Sequence, residues 1–322
     1  MMKAIKVVGD ELQWEPAEAP AELPEGHVRI DVAWTAINRA DLMQRAGAYP
    51  PPPGASDILG LEVSGTVAAV GEGVREFNAG DEVCALLTGG GYATSVVVPA
   101  VQVLPIPKGL SLKEAAAVPE VFATAWLNLY REAELQPGER VLLHAAASGL
   151  GTAVIQLATA FGNPVFATAG DDEKLAVCQK LGATGIWNRR NGSFVEAVRK
   201  WGGIDMVLDP VGGGYIGEDQ KVLNVDGRIV LIGLMGGRAA EVDLGMMLVK
   251  RHRLIGSTLR SRPVAVKGEV MQALHRHVWP LLSSGQIVPM IDSDWPIEKA
   301  AEAMAYVAAN KNTGKVLLSV AA

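Results

Sequence analysis

One stretch, Arg140 to Lys174, limits what the rest of the chain can be. An apolar run, Val141-Leu142-Leu143-His144, enters a turn of small residues, Ala145-Ala146-Ala147-Ser148-Gly149-Leu150-Gly151, and an apolar stripe at helical spacing, Thr152 to Ala158, leaves it. After Gly162 a second apolar run, Val165 to Ala169, ends in Gly170-Asp171-Asp172. The pattern predicts strand, turn, helix and strand, the opening βαβ unit of a dinucleotide-binding domain. In such a unit a pyrophosphate lies against N–H groups at a helix N-terminus, where the helix dipole favours negative charge. A sizeable side chain in the turn would hold the phosphates away. Here Ala146 and Ser148 stand at the first two glycine positions of the G-x-G-x-x-G pattern, and Gly149 and Gly151 follow. Alone the motif is weak, since such turns are also glycine-rich for packing. The two strands and the helix around it favour nucleotide binding.

The 322 residues are enough for two domains, and a composition 49% apolar with 36 glycines suits buried parallel strands. A net charge of −6 without a run of Lys or Arg argues against a nucleic-acid partner. No apolar run reaches bilayer-spanning length, and Met1-Met2-Lys3 leads into strand-like sequence without a signal peptide's apolar core. With only Cys84 and Cys178, both in apolar settings, the expectation is a reduced, cytoplasmic chain with two buried thiols and no four-cysteine zinc site.

The N-terminal third reads as short strands, Met2 to Val8, Val28 to Val32, Val63 to Val70, Glu82 to Leu87 and Tyr92 to Val98, the first two joined by a Glu/Pro-rich loop. Frequent glycines and prolines between them predict a compact, mostly β domain ending near Pro119. Two patches in it carry polar chemistry. In Asn38-Arg39-Ala40-Asp41, the polar residues either line a cleft or cap a helix, with Asn38 as N-cap; the local sequence favours the cap. Tyr49, before four prolines, sits on a stiff loop that either presents its ring to a pocket or bridges two strands. The second patch is Gly60-Leu61-Glu62-Val63-Ser64-Gly65.

With these patches the whole chain resembles the medium-chain dehydrogenase/reductase family. The zinc-dependent branch of that family places a Cys in the first patch and a His before the Glu of the second. This chain has no Cys there and has Leu61 in place of that His, and Leu87-Thr88-Gly89-Gly90-Gly91-Tyr92 replaces the cysteine-rich zinc lobe. The resemblance therefore implies a zinc-free member. Asn38 to Asp41, Gly60 to Glu62, Gly80-Asp81, Thr124-Ala125-Trp126 and His144 to Gly151 are similar to the quinone oxidoreductase branch. Within it, Pro51 to Ser56, Gly233 to Gly237 and Leu259 to Arg262 resemble the tumour-suppressor-inducible NAD(P)H quinone oxidoreductase group. The implied fold is α/β, a Rossmann doubly wound parallel sheet domain over residues 123–265 plus a GroES-like, mostly β catalytic domain over 1–122 rejoined by 266–322.

The choice of nicotinamide cofactor rests on the end of the second strand. NAD enzymes of this fold place an acid there, where it binds the ribose hydroxyls. Here that position is Ala169, and Gly170 leaves room for a 2′-phosphate. Lys174 matches the family's phosphate-binding lysine. Asp171 is a poor neighbour for a phosphate, and Arg189 either binds it bidentately or is a solvated surface charge. The balance favours NADPH over NADH. Two later apolar runs, Ile204 to Asp209 and Gly227 to Ile232, end in glycine loops where cofactor sites of parallel sheets lie. The resemblance places Gly233, Leu234, Met235, Gly236, Thr258 and Leu259 around the nicotinamide and Thr124 near it or the phosphates; a helix-surface hydroxyl and tight turns are the plainer readings.

Further on, Glu120 to Tyr130, Val264 to Ser284 and Glu298 to Asn310 read as helices and Lys315 to Val320 as a last strand. Asn310 either reaches the cofactor, as in relatives, or caps the last helix. The resemblance implies a metal-free NADPH-dependent quinone oxidoreductase, with cofactor in the cleft between the domains and Asn38 and Tyr49 positioning substrate or ring. An enoyl reductase acting on α,β-unsaturated carbonyls, or a non-catalytic NADPH-binding protein, are the rival readings. The expected partners are a small quinone or enone and, by analogy, a second copy of the chain in a homodimer.

Overall fold

The computed structural model describes residues 2–9, 11–19 and 22–320. The chain divides into two compact units, one made of residues 1–123 with 259–322 and the other of residues 124–258.

The first unit opens with β1 (Lys3–Val8) and β2 (Glu11–Pro16), an antiparallel pair. The Glu/Pro-rich segment expected as a loop is thus partly a strand. Leu12 and Trp14 alternate onto the core of this unit, and that burial outweighs the local composition. There follow β3 (His27–Ala36), helix α1 (Arg39–Arg45), β4 (Glu62–Val70), β5 (Glu82–Leu86), β6 (Ser95–Pro99) and β7 (Val103–Pro105). Tyr92 falls outside β6, yet it is fully buried, its backbone bonded to Leu59 and Ile5. Two short helices, α2 (Leu112–Ala115) and α3 (Pro119–Trp126), lead on, and a π-helical turn, Leu127–Glu132, extends α3 in the second unit.

The second unit is a six-stranded sheet in which every pairing is parallel. Its elements are β8 (Val141–Leu143), α4 (Gly149–Ala160), β9 (Val165–Ala169), α5 (Asp172–Lys180), β10 (Gly185–Asn188), α6 (Val195–Trp201), β11 (Ile204–Asp209), α7 (Tyr215–Val222), β12 (Leu223–Leu231), α8 (Leu244–Lys250) and β13 (Arg253–Gly256). The order β10-β9-β8-β11-β12-β13 is that of a doubly wound nucleotide-binding sheet, whose direction of growth reverses between β8 and β11. Strands covered on both faces must be apolar throughout, and every residue of β8 and β9 is buried. Leu142, Val207 and Ile229 on adjacent strands share one core with Phe166, Phe194 and Val198.

The chain then re-enters the first unit. The segment from Val264 to Ser284 is two helices, α9 (Val264–His277) and α10 (Trp279–Ser283), not one. Pro280 has no N–H to continue α9, and it is accommodated in the first turn of the next helix. After β14 (Ile291–Pro296), a 3₁₀ turn precedes α11 (Ala300–Ala308), and β15 (Lys315–Ser319) closes the unit. The seven strands of this sheet run β14-β15-β3-β4-β5-β7, with β6 also on β3. Because β15 lies against β3, the last strand of the chain sits beside the start of α1, and that register builds the polar site below.

Candidate active site

In the sheet of the second unit all carboxyl ends lie on one edge, and most of the candidate cofactor residues fall there, Asn38, Thr124, Leu259 and Asn310 excepted. Ala146, Ser148, Gly149, Leu150 and Gly151 follow β8, Gly170 and Lys174 follow β9, and Arg189 follows β10. Gly233 to Gly236 follow β12, and Thr258 follows β13. Thr124 lies apart, in α3, where its carbonyl accepts a bond from Asn128 Nδ2 (2.7 Å).

The first turn is shaped for close approach. Ser148 is the N-cap of α4, its Oγ accepting from the N–H of Gly151 (3.1 Å). The N–H groups of Gly149 and Leu150, in the first turn of the same helix, have no intrahelical acceptor. A Cβ on Gly151 would stand 2.3 Å from the carbonyl oxygen of Ala146, so the tight turn admits only glycine there. Ala145 takes a left-handed conformation, φ 50°, which costs a non-glycine residue on the order of 1 kcal/mol or more.

Asp171 and Arg189 lie together at the end of β9. Asp171 is the N-cap of α5 and accepts from the N–H of Lys174 (2.9 Å), so its carboxylate serves the helix. The Arg189 guanidinium packs against the open side of Gly170, where a Cβ would meet Nη2 at 3.3 Å. Beyond β11, buried Asp209 accepts from the N–H groups of Val211 (2.6 Å) and Gly212 (3.0 Å), and Gly236 donates to the Val211 carbonyl (2.7 Å). These bonds join the two glycine loops. A Cβ on Gly233 would lie 2.6 Å from the Pro210 oxygen, so this glycine is needed for loop-to-loop packing, whatever else the loop binds. Leu234 and Met235 point their side chains to solvent.

His144, which the sequence shows only as the end of a strand, bridges Thr168 Oγ1 (2.8 Å) and Asp219 Oδ1 (2.8 Å) in complete burial. Burial pushes the Asp219 carboxyl up to about 6 against the pull of His144. Burial works against charge on His144 too, but the Asp219 carboxylate outweighs it and holds the imidazole above its ordinary value. The pair thus ties β8 and β9 to α7.

In the first unit, Asn38 is a fully engaged anchor. Its Nδ2 donates to Glu62 Oε1 (2.9 Å), and its Oδ1 accepts from Lys315 Nζ (2.8 Å). Lys315 also pairs directly with Glu62 (2.6 Å), and the second Glu62 oxygen accepts from the N–H of Glu120 (2.8 Å). Asn38 is the N-cap position of α1 as expected, but the capping bond runs from its own N–H to Asp41 Oδ2 (2.8 Å). Asp41 further accepts from the N–H of Gly60 (3.0 Å) and from Tyr92 Oη (3.2 Å), while burial pushes its carboxyl up to about 6. Tyr49 is half-buried, its ring facing the Arg260 guanidinium at 5.5 Å. Burial raises its phenol pKa. Leu259 is buried beside Arg260. Asn310, in a left-handed conformation after α11, accepts from Arg39 Nη2 (2.6 Å), so it ends a helix and ties α1 to it.

Two family models match the chain: an alcohol dehydrogenase GroES-like domain over residues 24–108 and a zinc-binding dehydrogenase domain over 149–276. Among curated proteins, the human synaptic vesicle membrane protein VAT-1 homolog is 34% identical over 95% of this chain and 82% of its own length. Mouse quinone oxidoreductase-like protein 2 is 33% identical over 94% and 87%. Among solved structures, the Escherichia coli quinone oxidoreductase complexed with NADPH superposes with a TM-score of 0.87, at 27% identity over 99% of both chains. The chain belongs to the medium-chain dehydrogenase/reductase family, in its zinc-independent quinone oxidoreductase branch. CurK enoyl reductase, another medium-chain fold, gives a TM-score of 0.85 at 31% identity over 99% of both chains. The zinc in one matched description has no counterpart in the donor set. Leu61 precedes Glu62, both Glu62 oxygens are taken by protein donors, and among the described residues no group of three or more His, Cys, Asp or Glu could hold a metal ion. Cys84 and Cys178 are buried free thiols, their pKa raised by burial. Among the described residues no helix is long and apolar enough to cross a membrane.

Breaking a buried ion pair by removing one partner costs about 3–5 kcal/mol, because the other charge is left unpaired. Glu62→Gln and Lys315→Met should each lower unfolding free energy by about that amount in urea, and the double variant should lose clearly less than the sum of the two. Additive losses would show that the two side chains do not act as a pair.

Proposed function

We propose that this oxidoreductase uses NADPH to reduce quinones or related electrophilic carbonyls. The observation that carries the reading is the end of β9. Ala169 offers no carboxylate to the ribose, the Arg189 guanidinium lies over Gly170, and Lys174 is in the first turn of α5. A 2′-phosphate suits a planar guanidinium and an ammonium, and it would be repelled by the acid that selects NAD. The resemblance to a quinone oxidoreductase solved with NADPH supports the same reading.

The residues fit a dinucleotide. The N–H groups of Gly149 and Leu150 would receive the pyrophosphate, and Gly151 keeps that turn tight. The joined loops at Gly212 and Gly233–Gly236 would border the nicotinamide. When bound, the cofactor supplies the hydride, so no side chain need act as nucleophile. The protein contributes proximity and orientation, an effect that reaches ~7–11 kcal/mol in well-aligned reactions. Tyr49 positions the acceptor ring, its own ring steadied by Arg260, and Asn38 acts by holding the start of α1 against Glu62 and Lys315. A reduced quinone takes protons on oxygen from solvent, so a dedicated acid is not required.

Purified protein should oxidise NADPH faster than NADH when 1,2- or 1,4-quinones are supplied. Tyr49→Phe and Asn38→Ala should lower kcat/KM. Unchanged kcat/KM in both variants would remove these residues from the account. Turnover with enones alone would change the substrate class to that of the enoyl reductases, and tight NADPH binding without turnover would select a non-catalytic role.

The free edge of the parallel sheet favours a homodimer. Edge strand β13 exposes its backbone, and next to it α8 leaves Leu244, Leu248 (78% exposed) and Val249 (79% exposed) facing outward. Light scattering should give twice the chain mass for the native protein and a single chain mass for Leu248→Glu with Val249→Glu. A native monomer would contradict this.

A further inference from the structure

A cavity of about 600 Å³ opens within the β-rich unit, walled by the loops at Pro52–Ser56 and Leu87–Gly90, by β6, and by the segment from Arg260 to Lys267. That volume suits a small molecule. Its wall holds two cations that are almost wholly buried, Lys267 at 3% exposure and Arg260 at 5%. Neither has a carboxylate in ion-pair distance among the described residues. Lys267 Nζ donates to Thr88 Oγ1 (2.6 Å), which leaves two of its three donors unmatched. Arg260 donates only to neutral acceptors, the carbonyls of Thr88 (2.8 Å) and Tyr49 (3.5 Å) and the Gln44 side chain (2.7 Å). Helix α9 starts on the same wall with no side-chain cap and no acidic residue in its first turn, so its positive end adds to the charge. Among the described residues the only acid on the lining is Glu18, an exposed residue.

Buried charges are ordinarily paired. Two adjacent cations lie out of water beside a cavity and hydrogen-bond only to neutral groups; Asp41 acts on Arg260 without a hydrogen bond, and no carboxylate offsets Lys267. We propose that this cavity binds the carboxylate or phosphate group of a small organic anion, with Lys267 and Arg260 as its charge partners and Thr88 as an orienting hydroxyl. Burial and the neighbouring Arg260 pull the Lys267 ammonium down to about 8, which is the response of a cation that lacks an anion. Arg260 has its guanidinium against the Tyr49 ring, so an anion on its cavity side also bears on the residue proposed to position the electron acceptor. The cavity argument itself stands independently of the reductase reading.

Calorimetric titration of the full chain with benzoate and with inorganic phosphate, in a bulky zwitterionic buffer free of other oxyanions, tests the site. At least one probe should bind saturably, and the tighter of the two identifies the anion class. Lys267→Met, which keeps the apolar stem, should weaken that binding at least tenfold, and Lys267→Arg should largely retain it. Val264→Glu, at an exposed first-turn position of α9 on the cavity wall, should weaken it without touching the buried cations, which covers the case in which Lys267→Met does not fold. NADPH affinity should stay unchanged in all three. Absence of saturable binding of both probes to the native protein, or equal binding by Val264→Glu and any folded Lys267→Met, would overturn the proposal.

Discussion

The ion pair between Glu62 and Lys315 is the interaction on which the β-rich unit depends. It joins residues 253 positions apart in the chain, and it does so inside the protein, where an unpaired charge is costly. Four elements meet at it: the start of α1 through Asn38, β4 through Glu62, the start of α3 through the N–H of Glu120, and β15 through Lys315. The C-terminal strand therefore helps to place α1 and the loop that follows it. The same network explains how a fold whose relatives include zinc enzymes does without zinc at this point. The glutamate pairs with an ammonium and accepts from two N–H donors, so both its oxygens are engaged by protein.

The parallel sheet achieves its shape by other means. Its site edge is built from backbone, with glycines where another chain segment passes within van der Waals contact and side-chain oxygens where N–H groups would be left bare. Ser148, Asp171 and Asp209 all do this second job. Two of these three acids and hydroxyls lie near where phosphates are proposed to bind, and each is turned toward its own helix or loop. The Asp171 carboxylate is turned onto the first turn of α5, which fixes its direction while leaving its charge.

Much of this was legible in the sequence, for identifiable reasons. The βαβ unit was visible because buried parallel strands are apolar without interruption, and the turn after β8 because only small residues fit it. The zinc-free character followed from Leu61 and the missing cysteines. What escaped were features set by distant partners. β2 is a strand because Leu12 and Trp14 pack on a core assembled elsewhere, and His144 matters through Asp219, 75 residues away. Lys315 carries no local mark of its pairing with Glu62, and Lys267 none of its burial. The break between α9 and α10 differs in kind, because Pro280 itself marks it locally.

Equilibrium binding of NADPH and NADH, followed by the quenching of protein fluorescence, tests the central claim most directly. The account predicts that NADPH binds at least tenfold more tightly than NADH, and that Arg189→Ala with Lys174→Ala removes most of this difference by weakening NADPH alone. Equal or tighter binding of NADH by the native protein, or a preference untouched by the double variant, would contradict the assignment of Arg189, Lys174 and Gly170 to the 2′-phosphate.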